Sequence, residues 1–376
     1  MDYASRLDKV KESATFKYSA QAKKDGVINL TQGLINHETP KKIRDAAIKA
    51  LGEGKTTYTP TRGIPQLREK ISDKLKSQNG IKGLEAENIL VSCGAKHLIF
   101  EAVMALINPG EQVALPNPSW VSYESIVHLA EGKIIWLPLK AHEGFIPDDD
   151  FFSRLEDSNP KIIFMNSPNN PTGAVYPKKT IKKIIDLAER KDAWIISDEI
   201  YERIIYDGRH FSPASVYDKT ITINGYSKEF SMTGWRLGYA ASKVEEVIDR
   251  MNIIQSQSVS CATSFVQYAA LEAYSKEVSD EVEDMVSELK HRRNLLVEGL
   301  SDLGVLNYSP QGAFYLFPKL GGDDIRLADK LLEDGVGVIP GSPFGSAGQG
   351  CVRISYGFIP ADRIDEVVVK FAGSIK

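Results

Sequence analysis

Four times in this chain a short apolar run stops abruptly in a cluster of polar and glycine residues. Residues 89–92 run into Gly94-Ala95-Lys96, and 161–165 into Asn166-Ser167-Pro168-Asn169-Asn170-Pro171-Thr172-Gly173. Residues 193–197 run into Asp198-Glu199-Ile200-Tyr201. Residues 220–223 run into Asn224-Gly225-Tyr226-Ser227-Lys228, followed by Thr233-Gly234-Trp235-Arg236. Further runs at 113–115, 133–137 and 237–241 read as strands, and 97–107 and 180–190 have helical spacing. Short buried strands alternating with helices predict an α/β fold around a mainly parallel sheet. Ligands of such sheets bind beyond the carboxyl ends of the strands, where these four clusters fall.

The flanking segments read differently. Thr39-Pro40 is expected to cap and open a helix that carries Ile43, Ala46, Ala47, Ala50 and Leu51 and stops at Gly52 and Gly54. A second helix is expected near Pro65, with Leu67, Ile71 and Leu75 on one face. Residues 275–303 predict one long charged helix. Short strands at 313–317, 336–339 and 351–356 then predict a second, smaller α+β domain. No repeat, low-complexity tract or proline-rich linker interrupts the pattern.

Composition narrows the function classes. Forty-six Lys and Arg against 50 Asp and Glu give a net charge of −4, with no tail of one sign. Neither nucleic acid nor an acidic membrane surface is therefore an expected partner. The opening residues alternate in charge and do not read as a secretory signal. No apolar run approaches the ~20 residues needed to span a bilayer. Cys93, Cys261 and Cys351 are too scattered for a metal cluster or a disulfide framework, which fits a reducing, cytoplasmic setting. The six histidines lack a zinc-type spacing, so no metal is expected.

Each polar cluster has an ordinary reading when taken alone: a solvated lysine, a turn aspartate, an Asn-Pro turn, a plain strand-to-helix connection. Their occurrence in order, each at a strand end, is what carries chemistry. The ordered set resembles the class I/II aminotransferases, the pyridoxal-phosphate (PLP) enzymes of fold type I. The segment from Gly225-Tyr226-Ser227-Lys228 to Thr233-Gly234-Trp235-Arg236-Leu237-Gly238 is similar to that family's cofactor-lysine signature. The Asn169–Gly173 and Asp198–Tyr201 motifs, and Val352-Arg353-Ile354-Ser355-Tyr356, match in family order. The likeness extends over essentially the whole chain.

The resemblance implies roles for individual residues. Lys228 would form the Schiff base with PLP and later move the proton between the substrate Cα and the cofactor. Asp198 would keep the pyridine nitrogen protonated, and Asn170 and Tyr201 would hydrogen-bond the ring's phenolic oxygen. Trp120 would stack on the ring. Ala95 and Lys96 at a helix start, with Ser227 and Arg236, would hold the phosphate. Arg353 would clamp the substrate α-carboxylate, and Gly33 would let the backbone approach it. Tyr58 would reach the phosphate of the neighbouring subunit, implying a homodimer with shared sites. The resemblance also implies a large PLP-binding domain at 40–280 and a small domain built from 1–39 and 281–376.

Ser13, Thr15 and Lys96 resemble the prokaryotic aspartate aminotransferases, in which they would hold the distal carboxylate of the substrate. Ser13 and Thr15 could equally cap a helix. The subgroup usually has Gly-Glu-Pro-Asp-Phe where this chain has Gly33-Leu34-Ile35-Asn36-His37. The expected reaction moves an amino group from aspartate, or a related amino acid, to 2-oxoglutarate. Aromatic or broad specificity, or a PLP C–S lyase, are the alternatives. A non-enzymatic transcription regulator would need a DNA-binding module ahead of the aminotransferase pattern, which begins here within about 30 residues.

Overall fold

A computed structural model describes residues 3–10, 12–306 and 308–375. The two ends of the expected small domain and part of the charged opening segment lie outside the described residues. The strands in chain order are β1 (Ile28–Asn29), β2 (Ile89–Ser92), β3 (Gln112–Asn117), β4 (Lys133–Pro138), β5 (Ile162–Asn166) and β6 (Trp194–Asp198). They continue with β7 (Thr220–Gly225), β8 (Gly238–Ala241), β9 (Tyr315–Leu316), β10 (Val336–Gly337), β11 (Ile339–Pro340) and β12 (Val352–Ser355). The first five helices are α1 (Ala14–Gln21), α2 (Lys41–Gly52), α3 (Pro65–Gln78), α4 (Ala95–Leu106) and α5 (Val121–Leu129).

Seven strands form one sheet in the order β2-β8-β7-β6-β5-β3-β4. Only β8 runs antiparallel to its neighbours. The five strands from β7 to β4 are parallel, which bears out the α/β expectation. Ile162, Ile163, Ile195, Ile196 and Ile221 are fully buried, as expected of strands covered by helices on both faces. The jump from β5 to β3 and β4 on one side, and to β6 and β7 on the other, opens a crevice at the strand ends.

Three expectations need correction. β2 ends at Ser92 as expected, but β5 and β6 run one residue past their apolar runs and β7 two, to Gly225; Asn166 and Asp198 are the last residues of β5 and β6 and face each other in register. Ladder hydrogen bonds continue as long as the backbone stays extended, whatever the side chain. Thr39 does not cap α2; its hydroxyl donates to the Ser231 carbonyl at 3.0 Å, and Pro40 occupies the cap position before Lys41. The 336–339 run is two strands, not one. β10 pairs with β1, whereas β11 pairs with β12, so the chain changes partners at Val338.

β1 pairs in parallel with β10, joining the N-terminal segment to the C-terminal part. Lys276–Asp302 is a single 27-residue helix, as its charged periodicity predicted.

Behind the β6 end lies a buried charged network. Lys74 of α3 pairs with Glu202, each side chain being 6% exposed. His210 Nε2 lies 2.8 Å from Glu199 and 3.7 Å from Glu202. Asn79 donates to both carboxylates. Histidine spacing gave no hint of this Glu199–Glu202–His210 group, because its members meet through the fold. Burial raises the Glu202 carboxyl, but Lys74 and His210 more than offset it and leave it below its ordinary 4.5. Burial lowers His210, and Glu199 and Glu202 more than reverse that, leaving it above 6.5.

Lys74→Met would leave Glu202 short of its buried partner and should cost about 3–5 kcal/mol in urea unfolding. Glu202's contribution to stability is present above pH 4.5 and lost as pH falls through its depressed value. That of His210 is full below 6.5 and lost as pH rises through its elevated value. Wild-type stability minus that of Lys74→Met, followed against pH, should therefore decline on the acid side.

Candidate active site

The residues singled out in the sequence converge at the crevice, around a cavity of about 600 Å³. Ser13, Thr15, Gly33, Ala95, Lys96, Trp120, Asn170, Asp198, Tyr201, Ser227, Lys228, Arg236 and Arg353 all line it. Tyr58 does not; it stands 88% exposed on the surface.

Asp198 ends β6 at the cavity floor and is buried. Its Oδ2 accepts from the Tyr123 hydroxyl at 2.6 Å and its Oδ1 from the Ile200 N–H at 3.2 Å. Burial pushes the carboxyl up to about 6 against these two donors and Lys228. Asp198 therefore changes charge just below neutrality unless a cation joins it. Tyr123 is a functional residue that motif reading missed. It sits one helical turn after Trp120 at the start of α5, and that i, i+3 spacing was the available signal.

Lys228 follows β7 on a loop, and its Nζ donates to the Gly33 carbonyl at 2.7 Å. Burial, then Arg353 and Arg236, lower its amine to about 8, with Asp198 pulling the other way. A side chain on Gly33 would bring its Cβ within 2.9 Å of the Tyr315 hydroxyl, so the close approach needs glycine. Tyr315, also missed, places its hydroxyl 2.8 Å from that of Tyr201.

Arg353 on β12 is 1% exposed. It donates to the Thr31 carbonyl at 2.6 Å and to Asn170 Oδ1 at 3.0 Å, and its Nε has no protein partner. Its guanidinium lies 4.7 Å from the Tyr315 ring centroid and 5.2 Å from that of Phe344. At the other end, α4 begins at Ala95 after Gly94, whose φ is +92°. The first N–H groups of a helix have no intrahelical acceptor and point out of its end. Arg236, held at φ +56°, lies across this end and donates to the Cys93 carbonyl at 3.2 Å. A Cβ on Gly94 would come within 2.7 Å of that guanidinium.

Lys96 reaches the cavity mouth, its Nζ 4.9 Å from the Trp120 ring centroid and 5.9 Å from that of Phe16. Burial and Arg236 lower its pKa. Ser13 occupies the cap position of α1 but makes no capping bond, and the Thr15 hydroxyl is buried without a partner. Of the unusual 33–37 stretch, only Gly33 and Leu34 line the cavity. Ile35 packs on the core and His37 points to solvent.

A buried carboxylate, a nearby amine lowered toward neutrality, an anion-binding helix end and a buried guanidinium define a PLP-type site. The comparisons agree. The model of the family described as "Aminotransferase class I and II" matches residues 25–371, and the chain belongs to that family. It is 44% identical to a probable aspartate aminotransferase of Methanocaldococcus jannaschii, over 94% of each chain. It is 40% identical to an aspartate/prephenate aminotransferase of Thermus thermophilus, over 93% of each. The solved aspartate aminotransferase of Thermus thermophilus with maleate superposes with a TM-score of 0.94, at 38% identity and full coverage of both chains. The chain is thus a PLP-dependent transaminase, acting on amino acids and 2-oxoacids. Its residues fit the cofactor. The helix end and Arg236 suit a phosphate, Asp198 suits a ring cation, and Lys228 offers an amine between them. Among the described residues, no helix is long and apolar enough to cross a membrane.

In the cofactor-free protein, amine acylation of Lys228 should show a midpoint near pH 8, well below the ~10.4 of free lysine. Asp198→Asn should move that midpoint lower still, because the carboxylate favours the ammonium form. Peptide mapping of the labelled protein reads both, and an unshifted midpoint near 10 would contradict the geometry.

Proposed function

We propose that the chain is an aspartate aminotransferase that passes the amino group of aspartate to 2-oxoglutarate. One observation carries the reading: beyond the Lys228 amine and the Arg236 at the helix end, the cavity presents two further cations, Arg353 at its buried end and Lys96 at its mouth. A donor with an α-carboxylate and a second carboxylate suits such a pair. The names of the Methanocaldococcus and Thermus relatives support it.

PLP, when bound, supplies an electron sink for the charge that develops at the substrate Cα. Around it, Lys228 accepts and returns the Cα proton; an amine lowered to about 8 keeps a useful neutral fraction near neutral pH. Asp198, oriented by Tyr123, holds the ring-nitrogen proton, and that positive partner in turn keeps the carboxylate ionised. Tyr201 and Asn170 serve the phenolic oxygen, and Trp120 covers the ring face. Ala95, Ser227 and Arg236 hold the phosphate. Arg353 clamps the α-carboxylate, its unpartnered Nε leaving donor capacity for it. Lys96, with Ser13 and Thr15, takes the distal carboxylate.

We also assign Tyr58 to the phosphate of a second copy, making the enzyme a homodimer. A tyrosine left 88% exposed on the surface, outside its own chain's cavity, supports this. The pairing of β1 with β10 supports a small domain of 1–39 and 281–376 set against a large one of 40–280. The three free cysteines fit a cytoplasmic protein.

A panel of amino donors with 2-oxoglutarate tests the reading. Lys96→Ala should lower kcat/KM for aspartate about 10- to 100-fold more than for alanine, the worth of one charge-assisted hydrogen bond. An equal loss for both donors would remove the argument for aspartate. Ammonia and pyruvate released without an oxoacid would identify a lyase.

Mixing experiments test the shared site. Lys228→Ala subunits combined with Tyr58→Ala subunits should regain activity, because one hybrid site carries neither change. Activity that stays at the sum of the two inactive parents would place Tyr58 outside the site.

A further inference from the structure

The first turn of α1 puts an apolar ring on the lining of the cavity, next to Ser13 and Thr15. Phe16 lines the cavity with Ser13 and Thr15, yet it is 73% exposed. The helix that carries it buries none of its residues. A phenyl ring held at a cavity mouth retains apolar surface that a ligand can cover. Leu34, lining the same cavity, adds an apolar side chain where the expected subgroup carries a glutamate.

Phe16 also touches the charge at the mouth. The Lys96 ammonium lies 5.9 Å from the Phe16 ring centroid and 4.9 Å from that of Trp120, so rings from two separate elements flank it. Both distances are within cation–π range. The ammonium thus has two favourable situations: against the rings, or paired with a carboxylate. Its long flexible stem and its place at the mouth let it exchange between them, or turn to water.

We infer that Phe16 is a specificity-determining residue that admits aromatic amino acids to the same site that takes acidic ones. This rests on the aminotransferase reading above. With a dicarboxylic donor, Lys96 leaves the rings for the distal carboxylate. With an aromatic donor, the substrate ring packs against Phe16 and Leu34, and the ammonium turns to Trp120 or solvent. The cavity then does not bury an unpaired charge against an apolar ligand.

The test uses the PLP-loaded enzyme, wild type against Phe16→Ala, Phe16→Leu and Phe16→Tyr. Two quantities are read: kcat/KM for phenylalanine over that for aspartate, and dissociation constants for 3-phenylpropanoate and succinate. Phe16→Ala should lower the phenylalanine-to-aspartate ratio about tenfold, mainly through KM, and weaken 3-phenylpropanoate more than succinate. Phe16→Tyr should hold the ratio within about twofold, and Phe16→Leu should fall between. A ratio unchanged in Phe16→Ala, or a wild type that turns over aspartate but not phenylalanine, overturns the proposal and leaves the aspartate reading intact. A wild type that transaminates neither donor overturns the aminotransferase reading itself.

Discussion

Arg353 carries a charge that physiological pH cannot remove, and the fold buries it almost completely. A buried guanidinium demands acceptors on every side it can find them. This one takes the carbonyl of Thr31 from the N-terminal segment and the side chain of Asn170 from the turn after β5. Three distant stretches of chain therefore meet at one cation. Two further contacts depend on that meeting. The Ser355 N–H donates to the Leu30 carbonyl, and Lys228 reaches the Gly33 carbonyl three residues beyond. The cation proposed to hold the substrate carboxylate is thus also the fastener that brings the lysine, the glycine and the β12 strand to the same cavity.

Electrostatics around this fastener are arranged in opposition. Arg353, Arg236 and Lys96 share the cavity with Lys228 and favour its neutral form, while Asp198 at the floor favours the charged one. The carboxylate is itself unsettled by burial and steadied by Tyr123. Two groups of opposite sign, each displaced toward neutrality, are the arrangement from which acid and base roles are drawn. The network of Lys74, Glu199, Glu202 and His210 lies just behind, buried and mutually paired, next to the turn that carries Asp198 and Tyr201.

Much of this was legible in the sequence because the parallel strands are buried on both faces. Their runs are continuously apolar, and the first polar residue marks the crevice. The same rule misplaced the strand ends by one residue, since Asn166 and Asp198 keep extended backbone while turning polar side chains to the cavity. Tyr123 and Tyr315 were hidden because a tyrosine in a helix or an aromatic strand reads as core. Only the hydroxyl geometry shows otherwise. The split of 336–339 between two partners could not be read from four apolar residues, which suit either sheet equally. Within 33–37 the sequence marks the departure, but only the backbone path shows that Leu34 alone of the changed residues meets the cavity.

The bond between Arg353 and Thr31 spans 322 positions. Chains emerge from the ribosome from the amino end, and domains fold as they appear. All seven strands of the main sheet, Asp198 and Lys228 are available by residue 241, so the cradle proposed for the cofactor can take shape while more than a third of the chain is still unmade. The carboxylate clamp proposed for Arg353 cannot. It waits for a strand made last to find a segment made first, and until then Thr31 lacks the guanidinium that its carbonyl accepts from, although Gly33 can already meet Lys228. Transamination is in that sense a property of the finished polypeptide, whereas affinity for the cofactor can precede it.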